Sequence, residues 1–140
     1  MRNYYILVGD NRTWRISFTK NFWGFTEKTK KLWSNIEKED IVCFYVTKPT
    51  KKIIGFGKIK KKFQNTEIFW PDEIFLQRVL WPYKIEFEPI YIVDNFDDGI
   101  DPPLKVILNQ GRKKISEDIF IKLIQEAEKW NMSDLKKLKI

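Results

Sequence analysis

The sequence predicts an α+β fold: a small, partly closed barrel of about five to six short strands with helices on its flanks. Three stretches carry that expectation. "EDIVCFYVTKPTKKIIGFGKIKKK" (39–62) joins two β-rich runs through a turn marked by Pro49, a residue that does not fit a central strand. Tyr83, Ile85 and Phe87 alternate with Lys84, Glu86 and Glu88, the period-two signature of a strand with one face in the core and one in water. Ile119, Phe120, Leu123, Ile124, Ala127 and Trp130 share one face of a late helix, the spacing of a helix packed on a sheet. Strand–helix alternation does not repeat, which argues against a doubly wound sheet. The 140 residues make one ordinary domain, long enough to bury a single core.

In chain order, Tyr4 to Val8 reads as a first strand ended by the turn residues Gly9, Asp10 and Asn11. Trp14 and Phe18 stand four apart, the spacing of a short helical turn. Phe22-Trp23-Gly24-Phe25 reads as a sharp loop that holds at least one ring in place. Thr26 N-caps a short helix with Glu27 in its first turn and Leu32, Trp33 and Ile36 as its apolar stripe, ending near 36 or 37. Ile41 to Val46 has almost no polar interruption, as in a strand covered on both faces. In the next run Gly55 and Gly57 fall on one face of a strand. They either admit a close neighbour there or relieve the curvature of a barrel.

Lys60, Lys61 and Lys62 carry that strand out into solvent. Asp72, just after Pro71, starts a turn of helix through Leu76, and Pro89 ends or bulges the alternating strand. Residues 94–103 are acidic and rich in breakers, a loop. Residues 104–108 read as a last short strand, and "NQGRKK" turns into a helix capped by Ser116 with Glu117 and Asp118 behind it. Ser133 caps a final turn.

Composition narrows the function. There is no histidine and only one cysteine, Cys43, inside an apolar run. Without histidine no Ser/His/Asp or Cys/His arrangement can be built, and a Cys/His metal site goes with it. No cofactor or metal is expected. "GFG" at 55–57 has too few glycines for a phosphate loop, and the acids at 94, 97, 98 and 101 lack the spacing of a calcium loop. Neither a signal peptide nor a membrane span is legible, so the expected location is cytoplasmic, with no membrane partner.

Two surpluses point the other way. Aromatics make up 16% of the residues, more than a core this size needs, so some are expected in a groove or pocket. Net charge is +7, a field that favours nucleic acid or anionic surfaces, although lysine also serves simply as a soluble surface. Lys51, Lys52, Lys60, Lys61, Lys62, Arg112 and Lys113 are the candidate phosphate contacts, which would add affinity without sequence choice.

Four blocks then become familiar: "NFWG" at 21–24, "EDIVCFYV" at 39–46, "IIGFGKI" at 53–59 and "WPYKIEFEPI" at 81–90. In order and spacing they resemble the EVE domain family, part of the PUA-like superfamily that also holds the YTH domains. Glu39 stands where that family usually has Gly, Trp81 where it has Tyr, and Tyr5 where a Trp is common. The resemblance implies a PUA-like pseudo-barrel with one pocket for a base swung out of DNA or RNA, often a modified one. It places Trp23 as the first aromatic wall and Gly24 beside the base, with Ile54 and Gly55 on the strand beneath. Trp70 or Phe69 is the candidate second wall. Polar specificity falls to backbone groups or to Asn21, Asn11 and Gln110. The expected activity is binding without catalysis. The rival readings are an enzyme of RNA or nucleotide metabolism working through Asp72 or Asp94, and a protein-interaction module.

Overall fold

A computed structural model of the protein describes residues 2–102 and 112–130. The chain begins with strand β1 (Tyr4–Gly9), which runs directly into helix α1 (Asn11–Lys20). Strand β2 (Phe22–Phe25), helix α2 (Lys30–Asn35) and the central pair β3 (Ile41–Val46) and β4 (Lys52–Gln64) follow. A short helix α3 (Pro71–Leu76), the long strand β5 (Tyr83–Ile92), strand β6 (Arg112–Ile115) and helix α4 (Glu117–Ala127) complete the described strands and α-helices.

The six strands form one curled, mixed sheet in the order β2-β5-β4-β3-β1-β6. Among the described residues only β1 and β3 run parallel; the other neighbours are antiparallel. Two cores use the two faces. Trp14, Trp23, Phe25, Val42, Phe44, Ile54, Ile59 and Phe87 pack in one, while Ile6, Cys43, Ile53 and Phe56 meet Phe120, Leu123 and Ile124 of α4 in the other. Alternate residues of β3 therefore point into opposite cores, which is why its sequence carries no polar face. Gly57 sits under the Phe44 ring, and a Cβ at Gly55 would collide with the Tyr91 carbonyl of the neighbouring strand. Register shifts in the β4–β5 pairing, one of them leaving Pro89 opposite Gly57, add the bend.

Four expectations change. Phe22–Phe25 is an edge strand on β5 rather than a loop, because alternation sends Trp23 and Phe25 into the core and leaves Phe22 and Gly24 on the opposite face. The turn of helix at Trp14 extends to ten residues, since Asp10 Oδ1 accepts the Thr13 N–H at 2.7 Å and Asn21 closes the far end with φ 61°. Lys84 does not face water: it is 1% exposed under the β4–β5 connection, its Nζ donating to Asn65 Oδ1. Arg112–Ile115 pairs with β1 as a strand where a turn was expected. The strand expected at 104–108 and the turn at Ser133 lie outside the described residues. Among the described residues no helix is long and apolar enough to cross a membrane.

Candidate base-binding site

Among the described residues the sheet does not close on itself, and the gap has a definite chemistry. Among the described residues Tyr4 to Leu7 of β1 pair with β6, and Val8 and Gly9 continue the strand toward β2, where Gly9 lies against the Trp23 ring. Between these two stretches lies a cavity of about 230 Å³, lined by Val8, Gly9, Asp10, Thr13, Trp23, Gly24, Trp70, Asp72 and Trp81. That is below the roughly 300–1,000 Å³ that encloses a drug-sized ligand, and it suits one planar ring system.

Each wall has a local cause. Trp23 points to the core side of β2 and stacks on Trp14 of α1, ring centroids 4.0 Å apart and planes within 16°. One of its faces is thereby spent, and only 6% of the residue is exposed. Its Nε1 is buried and, among the described residues, has no hydrogen-bond partner. Gly24 points to the other side, where Trp70 and Trp81 lie across it; an added Cβ would collide with Trp81 and come within 2.9 Å of the Trp70 ring. Trp70 and Trp81 meet edge to face at 5.5 Å, and the Trp70 Nε1 donates to the buried Ser17 Oγ at 2.9 Å. Helix α1 thus braces two of the walls.

The backbone of Gly24 completes the site. Phe87 N donates to Asn21 O, which makes Asn21/Phe87 and Trp23/Ile85 the hydrogen-bonded pairs of the β2–β5 ladder. Gly24 opposite Lys84 is then a non-bonded pair, so its N–H and C=O point off the free edge, between Trp23 on one side and Trp70 with Trp81 on the other. A donor and an acceptor in one plane, flanked by rings, match the hydrogen-bonding edge of a base. Asp10 and Asp72 add carboxylates at the rim, the former already capping α1.

The sequence-derived residues separate accordingly. Trp23, Gly24 and Trp70 come together in the cavity. Ile54 is sealed in the core and Gly55 lies against the Tyr91 carbonyl, so neither lines it. Asn21 is not among its lining residues either and serves as the left-handed cap of α1. Phe69 packs on Phe22 and Trp70 from behind. Trp81 was missed as a wall; its place next to Pro82, where a strand begins after a long irregular stretch, was the available signal.

The lysines stand elsewhere. Among the described residues no Lys or Arg lines this cavity. Lys60 and Lys61 share Glu86, at 3.2 and 3.6 Å, and Lys52 pairs with Asp101 at 2.6 Å. Lys62 donates to the Trp33 and Ser34 carbonyls at the end of α2, and Lys51 is exposed in the β3–β4 turn. The Arg112 and Lys113 side chains lie outside the described residues. A second, shallower cavity of about 570 Å³ is lined by Lys52, Tyr91, Asp94, Asp97, Lys129 and Trp130 among others.

No family model matches the sequence. An uncharacterized protein of Methanocaldococcus jannaschii is 29% identical over 101 residues, 62% of this chain, which spans 64% of that relative's length. Among solved structures, a Mmi1 YTH domain in complex with RNA superposes with TM-score 0.62 at 15% identity, over 94% of this chain and 82% of that one. A second Mmi1 YTH complex with RNA gives 0.63 at 13%, over 93% and 86%. The ASCH protein of Zymomonas mobilis gives 0.55 at 13%, over 89% and 96%. YTH and ASCH domains are both PUA-like, and this chain has the PUA-like fold.

Proposed function

We propose that the protein is a nucleic-acid-binding module of the EVE family that holds one unstacked base, in its preferred ligand a methylated or otherwise modified one, in the cavity at the free edge of β2. The observation that carries the reading is the cavity itself: Trp23, Trp70 and Trp81 around an outward-facing Gly24 amide and carbonyl. Stacking on aromatic rings contributes roughly 1–3 kcal/mol per base, which offsets the few kcal/mol of unstacking it. The buried, unpartnered Trp23 Nε1 is a donor that an acceptor on the ligand would satisfy. A methyl group on the base adds about 0.8 kcal/mol per buried carbon, a modest discrimination.

RNA is the favoured polymer, because the YTH domains that share the fold were solved with RNA. The +7 charge supplies the attraction, with Lys51, Lys60 and Lys61 steadying the strand away from the slot. We assign no catalytic step to the module and place it in the cytoplasm. The test is titration of single-stranded RNA and DNA nonamers, each with one methylated or plain base at its centre. A methylated RNA that binds more tightly than its plain twin, with the preference lost in Trp81→Ala, supports the reading; no binding at low salt ends it.

One observation favours a second reading. Asp10 and Asp72 both line the cavity, two carboxylates beside the three tryptophans. An enzyme acting on RNA or nucleotides would use Asp72 as its free carboxylate. Turnover of an RNA or nucleotide substrate that disappears in Asp72→Asn would favour it over pure binding.

A further inference from the structure

The β4–β5 connection brings two of the three tryptophans and one carboxylate to the cavity, yet α3 is short and much of the segment is exposed. Something else must hold it. Glu73 is the buried group at its centre, 0% exposed. Its Oε1 accepts the backbone N–H of Phe69 at 3.0 Å and of Trp70 at 3.2 Å. Its Oε2 accepts those of Leu80 at 2.9 Å and Trp81 at 3.1 Å. One carboxylate therefore ties the residue pair that enters the segment to the pair that leaves it. Both tied pairs end in a wall of the cavity.

We propose that Glu73 is the positioning residue of this site: it presets the Trp70–Trp81 wall before any ligand arrives, so the segment is a fixed wall and not a lid that closes on the base. This rests on the base-binding reading for its functional half only. The physical reason for a carboxylate is its symmetry. Two acceptor oxygens satisfy two pairs of amides at once, and charge-assisted bonds of this type are about twice as strong as neutral ones. Lys84, the other buried charge of the region, lies beneath the same segment with its Nζ on Asn65 Oδ1 and 5.9 Å from the centre of the Trp70 ring. The Ser17 hydroxyl fixes the Trp70 indole from the other side. Tied at both ends, the segment loses its conformational freedom on folding rather than on binding.

Glu73→Gln is the informative change. The amide keeps the shape but presents one acceptor oxygen and one NH₂, so one amide pair loses its partner and faces a donor. The experiment combines amide hydrogen exchange with the Nε1 proton resonances of the tryptophans, and then titrates an RNA nonamer carrying one central N6-methyladenine. In Glu73→Gln we expect exchange at residues 69, 70, 80 and 81 to rise about tenfold or more, with the β3 amides unchanged. The Trp70 and Trp81 Nε1 signals should broaden while that of Trp14, which donates to Tyr45 O, stays sharp. Affinity for the nonamer should fall about tenfold at a temperature where the variant is fully folded.

Unchanged exchange at those four residues, or a parallel rise in the β3 amides, would overturn the proposal, the second by showing a general loss of stability. Local opening with unaltered affinity would overturn the functional half. If the wild-type protein binds neither this nonamer nor any other of the methylated and plain set, the base-binding reading fails, and exchange alone still decides whether Glu73 presets the wall. Trp81→Ala is the control: it should lower affinity without opening the amides of Phe69 and Trp70.

Discussion

The Trp14 and Trp23 indoles lie parallel with centroids 4.0 Å apart, so the first wall of the cavity is itself held by a fully buried ring of α1. That coupling separates two kinds of tryptophan. Trp14→Ala opens a void in the core and should cost about 3–5 kcal/mol of stability, read from urea denaturation. Trp81 is only half buried, and Trp81→Ala should leave the fold intact while costing about 1–3 kcal/mol of binding to a base-presenting oligonucleotide.

Two glycines make a matched pair. Gly24→Ala puts a methyl group against Trp81 and Trp70 at the cavity, and should abolish oligonucleotide binding. Gly55→Ala instead drives a Cβ into the Tyr91 carbonyl and should destabilise the sheet by about 1–3 kcal/mol. Thermal melts and titrations run in parallel tell the two apart.

Cys43 is fully buried in β3, and burial pushes its thiol pKa well up. The folded protein should resist alkylation by iodoacetamide at mildly alkaline pH, while urea-unfolded protein should react at once; mass spectrometry reads both. Rapid native labelling would place Cys43 at an accessible surface.

Lys84 has its pKa lowered, chiefly by burial and against the pull of Glu73 and Glu67. Below the ordinary lysine value the unfolded chain then binds more protons, so this group makes stability rise as pH climbs toward about 10. Tyr83, through its bond to Glu27, and Tyr4, Tyr5 and Tyr45, through burial, have raised values. They keep their protons when folded, so above about pH 10 stability should fall again. Denaturation across that range should show the rise, and Lys84→Met should lose it while keeping the fall.

The central strands were legible because β3 is a short unbroken β-rich run and β5 alternates apolar with polar residues from Tyr83 to Glu88. Ile41–Val46 is a strand with the bounds its composition suggests, and Ser116 caps α4 as read, its Oγ accepting the Ile119 N–H. Phe22–Phe25 failed because four residues with three large rings show no visible polar alternation, and only the glycine on its outer face betrays the strand. Lys84 failed because the segment that covers it comes from far along β4 and has no period of its own. Of the cavity's lining, Trp23, Gly24 and Trp70 had been named through the resemblance. Glu73 was not, although Glu three places after Trp70, with Pro71 opening the helix, is capping-box spacing.

The most direct measurement is a titration of the wild-type protein with paired RNA nonamers, methylated and plain at one central base, followed by tryptophan fluorescence. The expected result is quenching that saturates, an affinity several-fold higher for a methylated member, and loss of both in Trp81→Ala and Gly24→Ala. Saturable binding that is equal for every base and unmoved by those two substitutions would contradict a base held in this cavity.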